Sequence, residues 1–188
     1  MSIFDKLKKN LGNVINQKNT TSAASETFTF TSLPESLSEL KSLPEASLAS
    51  PYATAALTVC ALCAYAADRT VGKDMLNYLR GPRPLGNHEI QFLNDRFSDG
   101  QHVPFSYFKG AVPDNDYTPD TPFVVTVKSG PYSDVNASAG YKKLFIASGG
   151  ADNPREIILR NGSDGKWYLW DQFLMVSIKK ARSDNPWA

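Results

Sequence analysis

The stretch Ser50–Asp68, SPYATAALTVCALCAYAAD, constrains this chain more than any other. From Tyr52 to Ala67 it runs without a charged side chain through Ala, Leu, Val, Thr and Cys. Ser50 suits an N-cap, and Pro51 suits a first helical turn, where no N–H is needed. The segment predicts a helix. It is short and weakly apolar for a membrane span, which takes about 20 strongly apolar residues. A helix apolar on every side must be covered on every side. A buried central helix is therefore the first expectation, and the rest of the chain has to wrap it.

The neighbouring segments supply candidates for that cover. SLPESL (Ser32–Leu37) and SLPEAS (Ser42–Ser47) each place a serine cap, a first-turn proline and a glutamate at the positive helix end, which predicts two short helical turns. GKDMLNYLRG predicts a helix ended by Gly81, and NHEIQFLNDRFSDG another, capped by Asn87 and closed by Gly100. A loop rich in proline and aromatics follows. Strand signals then dominate at Phe123–Ser129, Tyr141–Ser148, Arg155–Asn161 and Lys166–Ile178, with NGSDG joining the last two as an antiparallel hairpin. TFTFTSL, from Thr27, fits a short strand or an extended lead-in. Helices first and strands second predict an α+β fold: N-terminal helices, then an antiparallel four-stranded sheet with the helices packed on one face, an order also found in cone-like folds.

The N-terminus reads differently. Ile3, Phe4, Leu7 and Leu11 form a stripe with Lys6, Lys8 and Lys9 largely off it, which predicts an amphipathic helix over residues 1–15. So short a helix needs a surface: this chain's own core, a second copy, or an anionic membrane face. Residues 16–26 read as a flexible linker, and 27–188 as a single α+β domain. Net charge is only +1, with the basic residues gathered at the two ends, so nucleic acid is not an expected partner. The first residues lack the apolar core of a secretory signal, and two cysteines make no disulfide framework; both point to the cytoplasm or the inner face of its membrane.

Catalytic patterns are weak. Cys60 and Cys63 lie inside the apolar helix, where free cysteine behaves as a small hydrophobe. Asp114, Asp116, Thr118 and Asp120 resemble part of a calcium loop, but Pro119 and Val125 stand where an EF-hand needs glycine and glutamate. His88 and His102 fit no zinc spacing and no triad. No metal or cofactor is expected. The candidate pocket or interface is aromatic: Trp167, Trp170, Tyr107, Phe108 and Tyr117, with Asp171 or Asp152 as the polar group. In a regular last strand, Trp167, Leu169 and Asp171 would share one face, and Tyr168, Trp170 and Gln172 the other. Both faces are mostly apolar, so this strand is expected either to be covered on both sides or to bend at Asp171–Gln172.

Four blocks carry a resemblance: LPESLSELKSLPEASLASPYATAALTVCALCAY, NYLRGPRPLGNHEIQFLNDR, LFIASGGADNPREIILR and WYLWDQFL, before a terminal Pro186-Trp187. In this order they resemble a family of bacterial proteins of unknown function, chiefly from low-GC Gram-positive gut bacteria. The resemblance implies a single domain in a bacterial cytoplasm, and it brings no activity or catalytic residue with it. The functional expectation is a non-catalytic interaction or regulatory module that binds a protein partner or itself, with the N-terminal helix as tether. The alternative is a small-molecule-binding or enzymatic cone.

Overall fold

A computed structural model describes residues 23–187. The proposed tether, Ile3, Phe4, Leu7 and Leu11, lies outside the described residues, as does most of the linker. In chain order come β1 (Ser25–Phe30), α1 (Leu37–Ser42), α2 (Pro51–Ala67), α3 (Arg69–Arg80), α4 (Asn87–Arg96), β2 (Phe123–Lys128), β3 (Tyr141–Ile146), β4 (Arg155–Asn161) and β5 (Trp167–Gln172).

α2 is the buried central helix. Every residue from Tyr52 to Tyr65 is buried, and α3, the sheet and two short turns all pack on it. The Ser50 hydroxyl accepts the Tyr52 and Ala53 N–H groups, as an N-cap should. Its interior hydroxyls find partners too: Thr58 donates to the Thr54 carbonyl at 2.8 Å, and Thr54 to the Trp167 carbonyl at 2.8 Å. Cys60 and Cys63 are free and sealed in the core, and burial pushes both thiols up from their ordinary values.

Four helix starts differ from expectation. α1 is capped by Ser36, not Ser32, and the second short turn (Pro44–Ser47) follows Leu43 without a side-chain cap. α3 begins at Arg69 because Asp68 accepts the Thr70 and Val71 N–H groups. α4 begins after Gly86, whose N–H is taken by Glu89, so Asn87 is its first residue and not its cap. Only Asp68 separates α2 from α3, and the two cross closely where Gly72 lies against Tyr65.

The antiparallel sheet has five strands, not four, in the order β1-β2-β3-β4-β5. The additional strand is β1, which pairs with β2 from Ser25↔Lys128 to Phe30↔Phe123 and starts two residues before Thr27. Phe30 is buried and Phe28 packs on the core, while Thr27 and Thr29 stay exposed, the alternation of a strand with one buried face. β2 and β3 pair only at Val127↔Ile146 and Lys128↔Phe145. Beyond that the sheet parts, and the long loop enters the gap: the Lys109 N–H donates to the Val124 carbonyl, and the Gly149 N–H to the Ser106 carbonyl, both at 2.8 Å.

β5 ends after Gln172, earlier than Ile178, because the Gln172 side chain takes the Leu174 N–H and the chain turns away. Leu159 pairs with Leu169 but Ile158 with Asp171, so Trp170 is a bulge residue. The bend falls one residue before the expected site and breaks the strict alternation of faces along the strand.

Candidate functional site

The bulge is the origin of the most organised polar cluster in the domain. A bulged residue leaves the strand ladder, and the Trp170 carbonyl accepts instead from Arg80 Nη1 at 3.3 Å and Arg83 Nη1 at 2.9 Å. Arg80 Nε donates to the Arg83 carbonyl. Both guanidiniums donate to Glu89 Oε1, Arg80 at 2.5 Å and Arg83 at 3.1 Å, while Glu89 Oε2 accepts the Gly86 N–H at 2.7 Å. The Arg80 side chain is only 4% exposed. Burial pulls it down from the ordinary arginine value against the upward pull of Glu89, and it remains a cation. Burial pushes the Glu89 carboxyl up, but the Gly86 N–H and the two guanidiniums outweigh that and hold it below its usual value.

This cluster forms one wall of a half-open cleft of about 410 Å³ between α3, α4 and β5. The floor is apolar: Leu76, Phe92, Leu93 and Leu169, with Phe173 and Val176 beyond. Leu85, His88, Asp171 and Gln172 complete the lining.

Trp170 itself lies in a second concavity, on the sheet face away from the helices. Arg83 sits over its ring at 4.4 Å and Arg160 at 5.2 Å; Arg160 also lies over Tyr141 at 4.6 Å and donates to its hydroxyl. Tyr141 meets Trp170 edge to face at 5.3 Å. The result is a ladder of alternating guanidinium and aromatic planes. Beside it runs a groove of about 540 Å³, floored by Ile158, Trp170 and Tyr141 and lipped by the β2–β3 connection. Two apolar residues of that connection point into solvent: Tyr132, 72% exposed, and Val135, 67%.

The residues singled out from sequence do not line one cavity. Tyr107 and Phe108 are core; the Tyr107 hydroxyl donates to the Leu174 carbonyl, and Phe108 meets Phe123 edge to face at 5.5 Å. Tyr117 is buried in a small satellite core, stacked on His102 and donating to the Lys179 carbonyl. Asp152 is exposed and pairs with Lys179. Trp167 packs on the main core. Trp170, the bulge residue, belongs to the groove, and the adjoining Asp171 to the cleft. The candidates missed were Arg80, Arg83, Glu89 and His88. One signal pointed to the first: Arg80 shares the helical stripe of Met75, Leu76 and Leu79, and a charge on an apolar stripe needs a buried partner.

Residues 32–182 match the model of the family described as Domain of unknown function (DUF6935). The chain belongs to this family. The DUF6935 match contains every lining residue of the cleft and the groove, while β1 precedes it. No curated protein and no solved structure matches the chain. Among the described residues no three His, Cys, Asp or Glu side chains converge as a metal site, and no helix is long and apolar enough to cross a membrane.

Proposed function

We propose that the domain is a non-catalytic protein-interaction module of the bacterial cytoplasm, docking a partner on the outer face of its sheet. The observation that carries this reading is the Arg83–Trp170–Arg160–Tyr141 ladder beside a groove whose lip exposes Tyr132 and Val135. Tyr, Trp and Arg are the residue types that dominate binding energy at protein interfaces, and Tyr132 and Val135 add exposed apolar surface beside them. Arg83 is held by two hydrogen bonds, so binding has less of its side-chain freedom to remove. Arg160 is exposed and has no carboxylate partner among the described residues. The fitting occupant is a protein segment that places an apolar side chain in the groove and a carboxylate on Arg160. The sealed thiols, and imidazoles that sit apart at the cleft and against Tyr117, support a non-catalytic role. Free cysteines and the bacterial resemblance of the sequence blocks support the compartment.

Site-specific photo-crosslinking in the host cell tests this. A crosslinker at Val135 is expected to capture a discrete protein, and one at Asp74, on the helix side, to capture none. Arg160→Glu is expected to cut the Val135 capture about tenfold, the loss typical of one charged contact at an interface. Equal capture at both positions, no capture at Val135, or indifference to Arg160→Glu would sink the proposal.

A further inference from the structure

We infer that the cleft between α3, α4 and β5 is a binding site for a small monocarboxylate with an apolar body. The inference shares Arg83 with the outer-face ladder but concerns a different ligand and a different cavity, and its test reads the cleft alone. At about 410 Å³ the cleft has the size of a ligand site, with the apolar floor and few convergent polar groups that such sites share.

The polar wall decides the class of head group. Arg80 and Arg83 share one carboxylate, that of Glu89, and both of its oxygens are already bonded. Among the described residues the two guanidiniums make five hydrogen bonds in all, half of what two arginine forks can donate. The wall therefore carries surplus donors beside an apolar floor, while Glu89 and Asp171 together balance its two guanidinium charges. A ligand acceptor that is planar, anionic and bidentate fits that surplus best. Asp171 limits the charge the head may carry. Its carboxylate accepts only the adjoining Gln172 N–H and forms no ion pair among the described residues, so a dianion such as a phosphate monoester would meet repulsion at the same cleft. A single carboxylate, turned to Arg83 with its hydrocarbon over Leu76, Leu93 and Leu169, satisfies both conditions. Arg83 is the receiving group, being 47% exposed where Arg80 is buried.

Decanoate, decylamine, decanol and decyl phosphate, titrated into the full chain and followed by calorimetry and amide chemical shifts, separate the alternatives. Decanoate is expected to bind with a constant of about 1 mM or tighter, the range its atom count allows. Shifts should fall on α3, α4 and β5, and the other three probes should bind at least tenfold more weakly. Arg83→Met keeps the aliphatic stem and leaves Arg80 on the Trp170 carbonyl; it should weaken decanoate about tenfold, leave decanol unchanged, and retain the native far-ultraviolet spectrum. Val176→Trp, which fills the outer end of the cleft, should weaken both. Decanol or decyl phosphate binding as tightly as decanoate would overturn the inference. So would shifts elsewhere, wild-type affinity in Arg83→Met, or no binding at about 5 mM, several-fold above the expected constant.

Discussion

Gly72→Ala is expected to lower the melting temperature by roughly 4–8 °C, although alanine is the better helix former. In an exposed helix interior the change would stabilise by about 1 kcal/mol. Here an added methyl group would overlap the Tyr65 backbone, at Cα and N, where α2 and α3 cross. Backbone cannot rotate aside as a side chain can, so the helices must separate, and overpacking of that kind costs about 3 kcal/mol. The net loss is about 2 kcal/mol, and a domain of this size loses about 2–4 °C for each. Gly72→Val carries two methyl groups more than alanine and keeps little of the propensity gain, so its effect should be larger. Thermal unfolding followed by circular dichroism checks both; an alanine variant as stable as the parent would mean that the crossing is looser than described.

Glu89→Ala should be comparably damaging, for an electrostatic reason. Arg80 is buried, and removing the carboxylate paired with it leaves a guanidinium held by two carbonyls and, at longer range, by Asp171. Breaking a buried pair from one side costs about 3–5 kcal/mol; Glu89 is 34% exposed, so water can follow it in, and about 2–3 kcal/mol is expected. Replacing both partners, as Arg80→Met with Glu89→Leu, should recover most of the loss, since apolar substitutes remove the desolvation cost along with the pair. The pH dependence has a definite sign. The folded carboxyl of Glu89 is held below its ordinary value, so it contributes stability that is fully present above the unfolded value of about 4.3 and disappears as pH falls through the folded value. Denaturant midpoints measured from pH 6 down to pH 3 should therefore fall more steeply for the parent than for Glu89→Gln. Parallel slopes would contradict the assignment.

How much of this was readable beforehand follows from range. α2 was legible because an apolar surface on all sides admits one placement only, and Ser50-Pro51 marks its start locally. β2 to β5 were legible because β-branched and aromatic residues gather between turn signals. β1 was ambiguous for a physical reason: TFTF alternates like a strand, but its partner β2 lies about a hundred residues further on, and no local pattern reports that pairing. The bend near Asp171 was legible as a conflict, two apolar faces on a strand bearing adjacent polar residues. Its position at Trp170 was not, because that depends on register with β4. The cleft was hidden for the same reason. Arg80 and Glu89 are nine residues apart on two helices, and only the turn through Arg83 to Gly86 brings them together. The long aromatic loop invited a functional reading on length alone, yet Tyr107 and Phe108 belong to the core because the sheet parts between β2 and β3 and needs filling.

The burial of Cys60 and Cys63 has a practical consequence. The thiolate is the form that reacts with alkylating reagents, and both cysteines are buried one helical turn apart, Cys60 inside the core and Cys63 behind the wall of a surface cavity, where burial suppresses the thiolate. Modification under native conditions must then pass through molecules in which α2 has lost its cover. The two positions should react together, at a rate proportional to the opened population. The chain thus carries an intrinsic clock for its own opening, with no label added. Any ligand or partner that favours the closed form should slow that clock in proportion to its occupancy, and a mass spectrometer can read it in a crude lysate.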